Sequence, residues 1–258
     1  LTVSSAASDV YKRQEFMNPV SFRTKLKTLF MFPLFLIIFS FLIILIILTV
    51  FIPNGKSLAT KYYKFFGWLG LRMVGINLTV SGLENIDTNK SYVVVSNHPS
   101  TLDIFTHIYG LPISVRFLTK TELFRIPFFS RVLKILGLPR IDRGSSSLDL
   151  DKINNSIQSV IDDGNSIMIF PEGKRSNQKN LLEFKKGAAH IAKKFNLSVL
   201  PVVTHNAHKL MIKGKVWFLS GDIHLDVLKP IDDIDKYEVD ELTNLFFQKI
   251  NEVLTTKK

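Results

Sequence analysis

The chain has 258 residues and carries 33 Lys and Arg against 22 Asp and Glu, a formal charge of +11. That length holds one substantial domain with an appendage and excludes two large ones. There is no cysteine, which excludes a disulfide framework, a thiolate zinc site and a Cys nucleophile. The charge points to anionic partners, and the first quarter of the chain makes these a lipid surface and phosphorylated substrates, not nucleic acid.

Residues 1–16, LTVSSAASDVYKRQEF, fit nothing that follows. The string SSAASDVYKRQ resembles translated sequencing-adapter sequence, and Met17 opens a reading frame with MNPVSFRTKLK. Residues 1–16 are therefore expected to be a non-native leader. Residues 29–52, LFMFPLFLIIFSFLIILIILTVFI, are 24 positions without a charge, where roughly 20 suffice to cross a bilayer. The run is too long for a signal peptide, and no small-residue cleavage pattern follows it. Arg23, Lys25 and Lys27 precede it and Lys56, Lys61, Lys64 and Arg72 follow. With both flanks basic, charge does not choose an orientation, and both are expected on the cytoplasmic side, as in a hairpin that dips in and returns. Pro33 near the start of the run is a place for a kink.

In the next stretch, SLATKYYKFFGWLGLRMVGI, Leu58, Tyr62, Phe65, Phe66, Leu69 and Met73 recur at helical spacing, with Lys61, Lys64 and Arg72 on another side. Two readings fit. One is an interfacial helix with Trp68 and the tyrosines at headgroup level; the other is a helix packed on a domain core. Residues 17–75 are expected to form a membrane-anchoring helical region.

From Ile76 onward short β-branched runs alternate with helical patterns, which predicts an α/β domain over 76–258 with a largely parallel central sheet flanked by helices. Strands are expected at NLTVSG, SYVVVSN, VRFLT, PRID, SIMIF and LSVLPVV, with KVWFLSG and IHLDVLKPI as a further pair. The clearest helix runs over 148–163, with Leu150, Ile153, Ile157, Val160 and Ile161 on one face and Gly164 as its stop. Others are expected near 128–137, 184–195 and 238–255.

Three polar strand ends carry the chemistry. In SNHPSTLDIF, His98 and Asp103 are five positions apart, about 140° apart on one continuous helix, and could not meet there. They meet if YVVVSN is a strand, His98 lies in the turn after it, Pro99 and Ser100 begin a helix, and Asp103 sits in its first turn. A histidine held by an aspartate is a general base of fixed tautomer. No G-x-S-x-G elbow accompanies it, so the hydroxyl it activates would arrive with the substrate. In SIMIFPEGKRS, a strand runs into Glu172, Gly173, Lys174 and Arg175, where glycine allows close backbone approach and the guanidinium matches phosphate oxygens. LGLPRIDRG adds Arg140 and Arg143. Taken singly, each has a plainer explanation: a structurally satisfied histidine, or solvated surface arginines. His205 and His208 in THNAH lack a third ligand nearby, so no metal site is expected there.

Together NHPSTLD, LPRIDR, FPEGKRS and VLPVV resemble the four ordered blocks of the glycerolipid acyltransferase family, most closely its bacterial 1-acylglycerol-3-phosphate branch. Asn97, His98 and Asp103 match the first block; Ile141, Asp142 and Arg143 the second; Phe170, Pro171, Glu172, Gly173, Arg175 and Ser176 the third; and Pro201 the fourth. FLTKTELFRIPFF is similar too, through Lys120 and Glu122. Pro99 stands where the family often has Gln, and Lys174 replaces Thr. The resemblance spans about residues 60–230.

It implies that His98 deprotonates the free hydroxyl of a lysophospholipid, which attacks the thioester of acyl-CoA or acyl carrier protein without an acyl-enzyme. Asp103 orients His98, and Arg143, Glu172, Gly173, Arg175 and Lys120 serve the substrate's phosphate. No metal and no cofactor beyond the acyl donor are implied. The expected location is the inner membrane, catalytic domain on the cytoplasmic side. Glycerol 3-phosphate or a lyso-aminolipid remain alternative acceptors, and a metal-dependent hydrolase or an idle membrane-binding module are alternative functions.

Overall fold

The computed structural model describes residues 21–141, 147–176, 181–211 and 218–256, with the side chains of 147–152 left aside. It opens with a helical hairpin. Helix α1 (Phe22–Leu48) takes Ser21 as its N-cap, the hydroxyl accepting the Thr24 amide. After a turn, α2 (Gly55–Val74) returns antiparallel and stops at Gly75, held at φ 81°. Pro33 lies inside α1.

The core is a six-stranded sheet in the order β1 (Ile76–Ser81), β8 (Gly221–Val227), β7 (Val199–His205), β2 (Val93–Ser96), β6 (Ser166–Ile169), β3 (Val115–Phe117). Strands β7, β2, β6 and β3 run parallel. Strand β8 reverses against β7 and β1 runs parallel to β8. A separate short pair joins β4 (Thr119–Lys120) to β5 (Arg140–Ile141). The central strands are mostly apolar, as strands covered on both faces are; every residue of β2 and β6 is buried, with Ser96 and Ser166 the polar ends.

One face carries α5 (Ser147–Asp162), α6 (Gly187–Phe195) and α8 (Val239–Thr256), through Ile157, Val160, Ala188, Leu242 and Phe246 packed on Val93, Ile167 and Val199. Helices α3 (Leu102–Gly110) and α2 cover the other face, and α1 lies outside α2. Two short helices, α4 (Phe129–Ile135) and α7 (Ala207–Leu210), complete the α-helices among the described residues.

The face that α2 turns inward is not its large apolar stripe. Gly55, Ala59, Tyr63, Gly67, Gly70 and Leu71 are buried, whereas Phe65 is exposed. The glycines permit close approach: a Cβ at Gly70 would stand 2.2 Å from the Phe105 ring, and one at Gly67 2.8 Å from Ile108. Arg116 of β3 fixes the same helix by donating to Thr60 Oγ1 at 2.9 Å while lying over the Tyr63 ring. Of the stripe, Phe66 lies between the helices, against Phe35 and Phe39 of α1 and against Phe105 of α3. Lys27 of α1 donates to Val74 O and Ser220 Oγ, both at 2.7 Å, and so ties the start of α1 to the end of α2 and to the chain entering β8.

The expected strand at KVWFLSG is not formed over its described part: residues 215–217 lie outside the described residues and 218–220 are irregular. Its supposed partner, β8, pairs instead with β7 and β1.

Candidate active site

Strand β2 ends at Ser96, and the next five residues form an irregular crossing before α3 begins at Leu102, later than the expected start at Pro99. Asn97 fixes the exit. Its Nδ2 donates to Thr204 O at 3.0 Å and its Oδ1 accepts the Thr204 amide at 2.8 Å, so it bridges to β7. His98 then turns back over the helix N-terminus, and Nδ1 lies 2.7 Å from Asp103 Oδ2. That same oxygen accepts the Ser100 amide at 2.8 Å. A carboxylate in the first turn of a helix is favoured by the unpaired amides there, and here it also takes the amide of Ser100, just ahead of the helix, while steadying the imidazole.

Asp103 is fully buried. Burial pushes its carboxyl pKa up; the hydrogen bond and charge of His98, the Ser100 amide and Arg175 pull against that rise. A dry carboxylate beside the ring strengthens its attraction for the imidazolium that forms when His98 accepts a proton. The ring itself is stacked on Phe170, centroids 3.9 Å apart and planes 7° from parallel. With Nδ1 committed to Asp103, Nε2 is the nitrogen left to take a proton.

Glu172 joins this turn to the loop after β6. Its Oε1 accepts the His98 amide at 2.7 Å and its Oε2 the Leu182 amide at 3.0 Å. Both oxygens thus bind backbone, and burial raises the pKa of this carboxyl while those two amides lower it. Ser176 adds a return contact, its amide donating to His98 O at 3.0 Å. Gly173 holds φ 69° at the turn between them. Arg175 is brought against α3 through a hydrogen bond from Nη1 to Thr101 Oγ1. Of the expected phosphate residues, Gly173 and Arg175 therefore stand on the loop beside His98, and Glu172 braces that loop. Lys120 is exposed on β4 directly opposite Ile141. Arg143, two residues beyond, lies outside the described residues, as does Asp142.

Sequence reasoning passed over Phe170, Asn97 and Thr101 as working parts, although each lies inside or beside a quoted motif. It also passed over His107, fully buried on α3, whose Nδ1 donates to Asp103 O at 2.7 Å and whose ring meets Phe170 edge-on. His205 pairs with Asp226 at 2.8 Å. Among the described residues, no three His, Asp or Glu side chains gather as a ligand set for a metal.

Burial pushes the His107 pKa down to about 4. An unfolded chain takes up that proton near pH 6.5, so between about 6.5 and 4 the unfolded state binds more protons and stability falls as pH falls. Asp103 and Glu172, pushed upward, act in the opposite sense, so the effect of His107 is best read as a difference. Between pH 7.5 and 5, His107→Gln should lose about 2 kcal/mol less stability than the parent chain. Denaturant unfolding at both pH values checks this; equal losses would show that His107 is not held neutral.

An apolar cavity of about 190 Å³ lies between α1, α2 and the start of α3, lined by Met31, Phe35, Gly70, Phe105, Met211 and Phe218. Thr101, the partner of Arg175, stands in its wall. Thr101 thus joins the wall of this apolar cavity to the cationic loop that carries Arg175. The class these features define is an enzyme with a histidine held by a buried aspartate beside a cationic loop.

Similarity to known proteins narrows the class. The chain belongs to the acyltransferase family, whose model matches residues 77–205, half of its length. A 1-acyl-sn-glycerol-3-phosphate acyltransferase of Borreliella burgdorferi is 32% identical over 192 residues, covering 74% of this chain and 76% of that protein. A protein of the same name from Saccharomyces cerevisiae is 32% identical over 161 residues, 62% of this chain and 53% of its own. The crystal structure of a 1-acyl-sn-glycerophosphate acyltransferase from Thermotoga maritima has the same fold, with a TM-score of 0.76 at 23% identity, covering 92% of this chain and 97% of that one.

Proposed function

We propose that this protein is a membrane-associated O-acyltransferase that moves a fatty acyl group from a thioester, acyl-CoA or acyl carrier protein, to the free hydroxyl of 1-acylglycerol-3-phosphate. The product is phosphatidic acid, a precursor of phospholipids. The observation that carries this reading is the 2.7 Å His98–Asp103 contact set beside the Arg175 loop; the names of the relatives supply the acceptor. In the reaction, His98 Nε2 takes the hydroxyl proton, the oxygen attacks the thioester carbonyl, the new C–O ester bond forms and the C–S bond breaks. The proton passes from the imidazolium to the departing sulfur, so the ring returns to its starting state. Asp103 holds the ring and balances its transient charge. Arg175, Arg143 and Lys120, with the open backbone at Gly173, would receive the phosphate, and Glu172 keeps their loop in register with His98. The apolar cavity suits an acyl chain. The reaction as written needs no cofactor besides the acyl thioester.

Helix α1 supports the membrane reading. It is long and apolar enough to cross a bilayer and turns most of its surface outward. It is also docked along α2, which exposes Lys61 and Arg72. An upright α1 would drag these cations into hydrocarbon at several kcal/mol each, so α1 is read as lying in the plane of one leaflet, on the cytoplasmic side with the catalytic domain.

Purified full-length protein should be given labelled acyl-CoA with lysophosphatidate, glycerol 3-phosphate or a lyso-aminolipid, and the lipid products identified by mass spectrometry. Phosphatidic acid is the expected product. Acylation of another acceptor alone, or release of free fatty acid alone, would overturn the assignment. Arg175→Ala should raise the KM for lysophosphatidate about ten- to a hundredfold, the cost of a charge-assisted contact, and leave the donor's KM nearly unchanged. Equal changes for both substrates would show that Arg175 only supports the fold.

A further inference from the structure

Between Thr121 and α4 the chain shows a feature the acyl transfer does not use. Leu123, Ile126 and Phe128 are exposed, Phe128 at 69%. Phe128 also adopts φ 60° and ψ −47°, and the Phe129 amide closes back onto Pro127 O at 2.6 Å. That is a γ-turn of the rare, strained hand, in a region where a bulky residue is a true outlier. A large ring held in a costly backbone conformation, pointing at solvent, gains nothing for a domain that stays in water.

The segment is also fixed and basic. Behind it Val132 and Leu133 are buried, and the Phe129 ring rests on Phe39 of α1 at 5.9 Å. Its apolar tip thus abuts the helix whose outward face bears exposed Ile37, Phe41 and Ile44. Around the tip Lys120, Arg125, Arg131 and Lys134 are exposed, with Glu122 the one acid between 120 and 134. Apolar tip, cationic rim and contact with the apolar helix together match the interface of an anionic bilayer, where rings enter below the headgroups and each nearby cation adds electrostatic attraction.

We propose that residues 123–128 are a second membrane-insertion element, with Phe128 as a wedge below the headgroups of an anionic leaflet and Arg125, Arg131 and Lys134 on the lipid phosphates. The proposal rests on the membrane reading of α1 and adds a separate point of contact. With two lines of contact across the surface, the domain could not roll about the axis of α1.

The chain has no cysteine, so single cysteines can carry an environment-sensitive fluorophore. Full-length Phe41→Cys, Phe128→Cys and, as a remote control, Asp235→Cys are labelled and reconstituted with vesicles of phosphatidylcholine with or without phosphatidylglycerol. Lipids brominated along the acyl chain serve as quenchers. The expected result is quenching at 41 in all vesicles, quenching at 128 that rises several-fold with phosphatidylglycerol and is lost in the Arg125→Gln, Arg131→Gln, Lys134→Gln background, and none at 235. Quenching at 41 but not at 128 would overturn the insertion element and leave the anchor standing; quenching at neither would overturn both. If position 128 stayed unquenched in every vesicle and the charge variant instead raised the KM for acyl carrier protein thioesters, the surface would be a protein dock and the proposal would fail. Phe128→Gly provides an independent check. Glycine relieves the strain, so this variant should melt at a higher temperature yet bind phosphatidylglycerol vesicles more weakly; unchanged vesicle binding would count against the wedge.

Discussion

Replacing His98 by alanine should lower acyl transfer by about three to four orders of magnitude, the upper part of the range for a positioned general base. No second base takes over readily. His107 is buried with Nδ1 on Asp103 O, and Glu172 has both oxygens on backbone amides. The fold should survive, because the two contacts that fix this turn, to Glu172 and Ser176, are made by the His98 backbone and remain in the variant. Turnover should therefore collapse while the melting temperature and vesicle binding change little. Near-normal turnover in folded His98→Ala would end the mechanism proposed here.

Asp103→Asn should cost about 3 to 5 kcal/mol of transition-state stabilisation, the scale of breaking a buried ion pair, or roughly two to three and a half orders of magnitude. The geometry says which property is lost. Oδ2 accepts from both His98 Nδ1 and the Ser100 amide, so the asparagine carbonyl should take that place and preserve the tautomer. Its NH₂ then falls where Oδ1 now sits, buried and without a partner among the described residues. The loss is thus of charge, not of orientation. Asp103→Ala should lose more, and joining Asp103→Asn to His98→Ala should add almost nothing to His98→Ala, as groups acting in one unit are not additive. Independent, additive losses would mean the carboxylate serves the substrate directly.

Much of this was legible in the chain because the physics was local. The apolar runs at 93–95 and 167–169 have both faces covered and became central strands, and Gly164, at φ 71°, follows the end of α5 as a stop. His98 and Asp103 were expected to meet only through a strand–turn–helix, and they do. Less legible was whatever depended on distant partners. The resemblance put Glu172 with the phosphate residues, and nothing in the sequence showed that its oxygens accept amides 74 and 10 residues away. The apolar stripe of α2 left its inner face open between two readings, because the close approach of α3 selects glycine and alanine there. The reversal at β8 has no local signature at all.

One carboxylate, Glu172, clamps both the amide of the base and the loop that carries Arg175. A drift toward a new headgroup that moved this clamp would cost turnover at the same time, so selection for acceptor and selection for rate are coupled at this residue. Divergence in headgroup preference would have to pass through side chains that touch the loop without bearing on the clamp. Lys174, exposed between Gly173 and Arg175, is such a position, and substitutions there should change which lipid is acylated long before they change how fast.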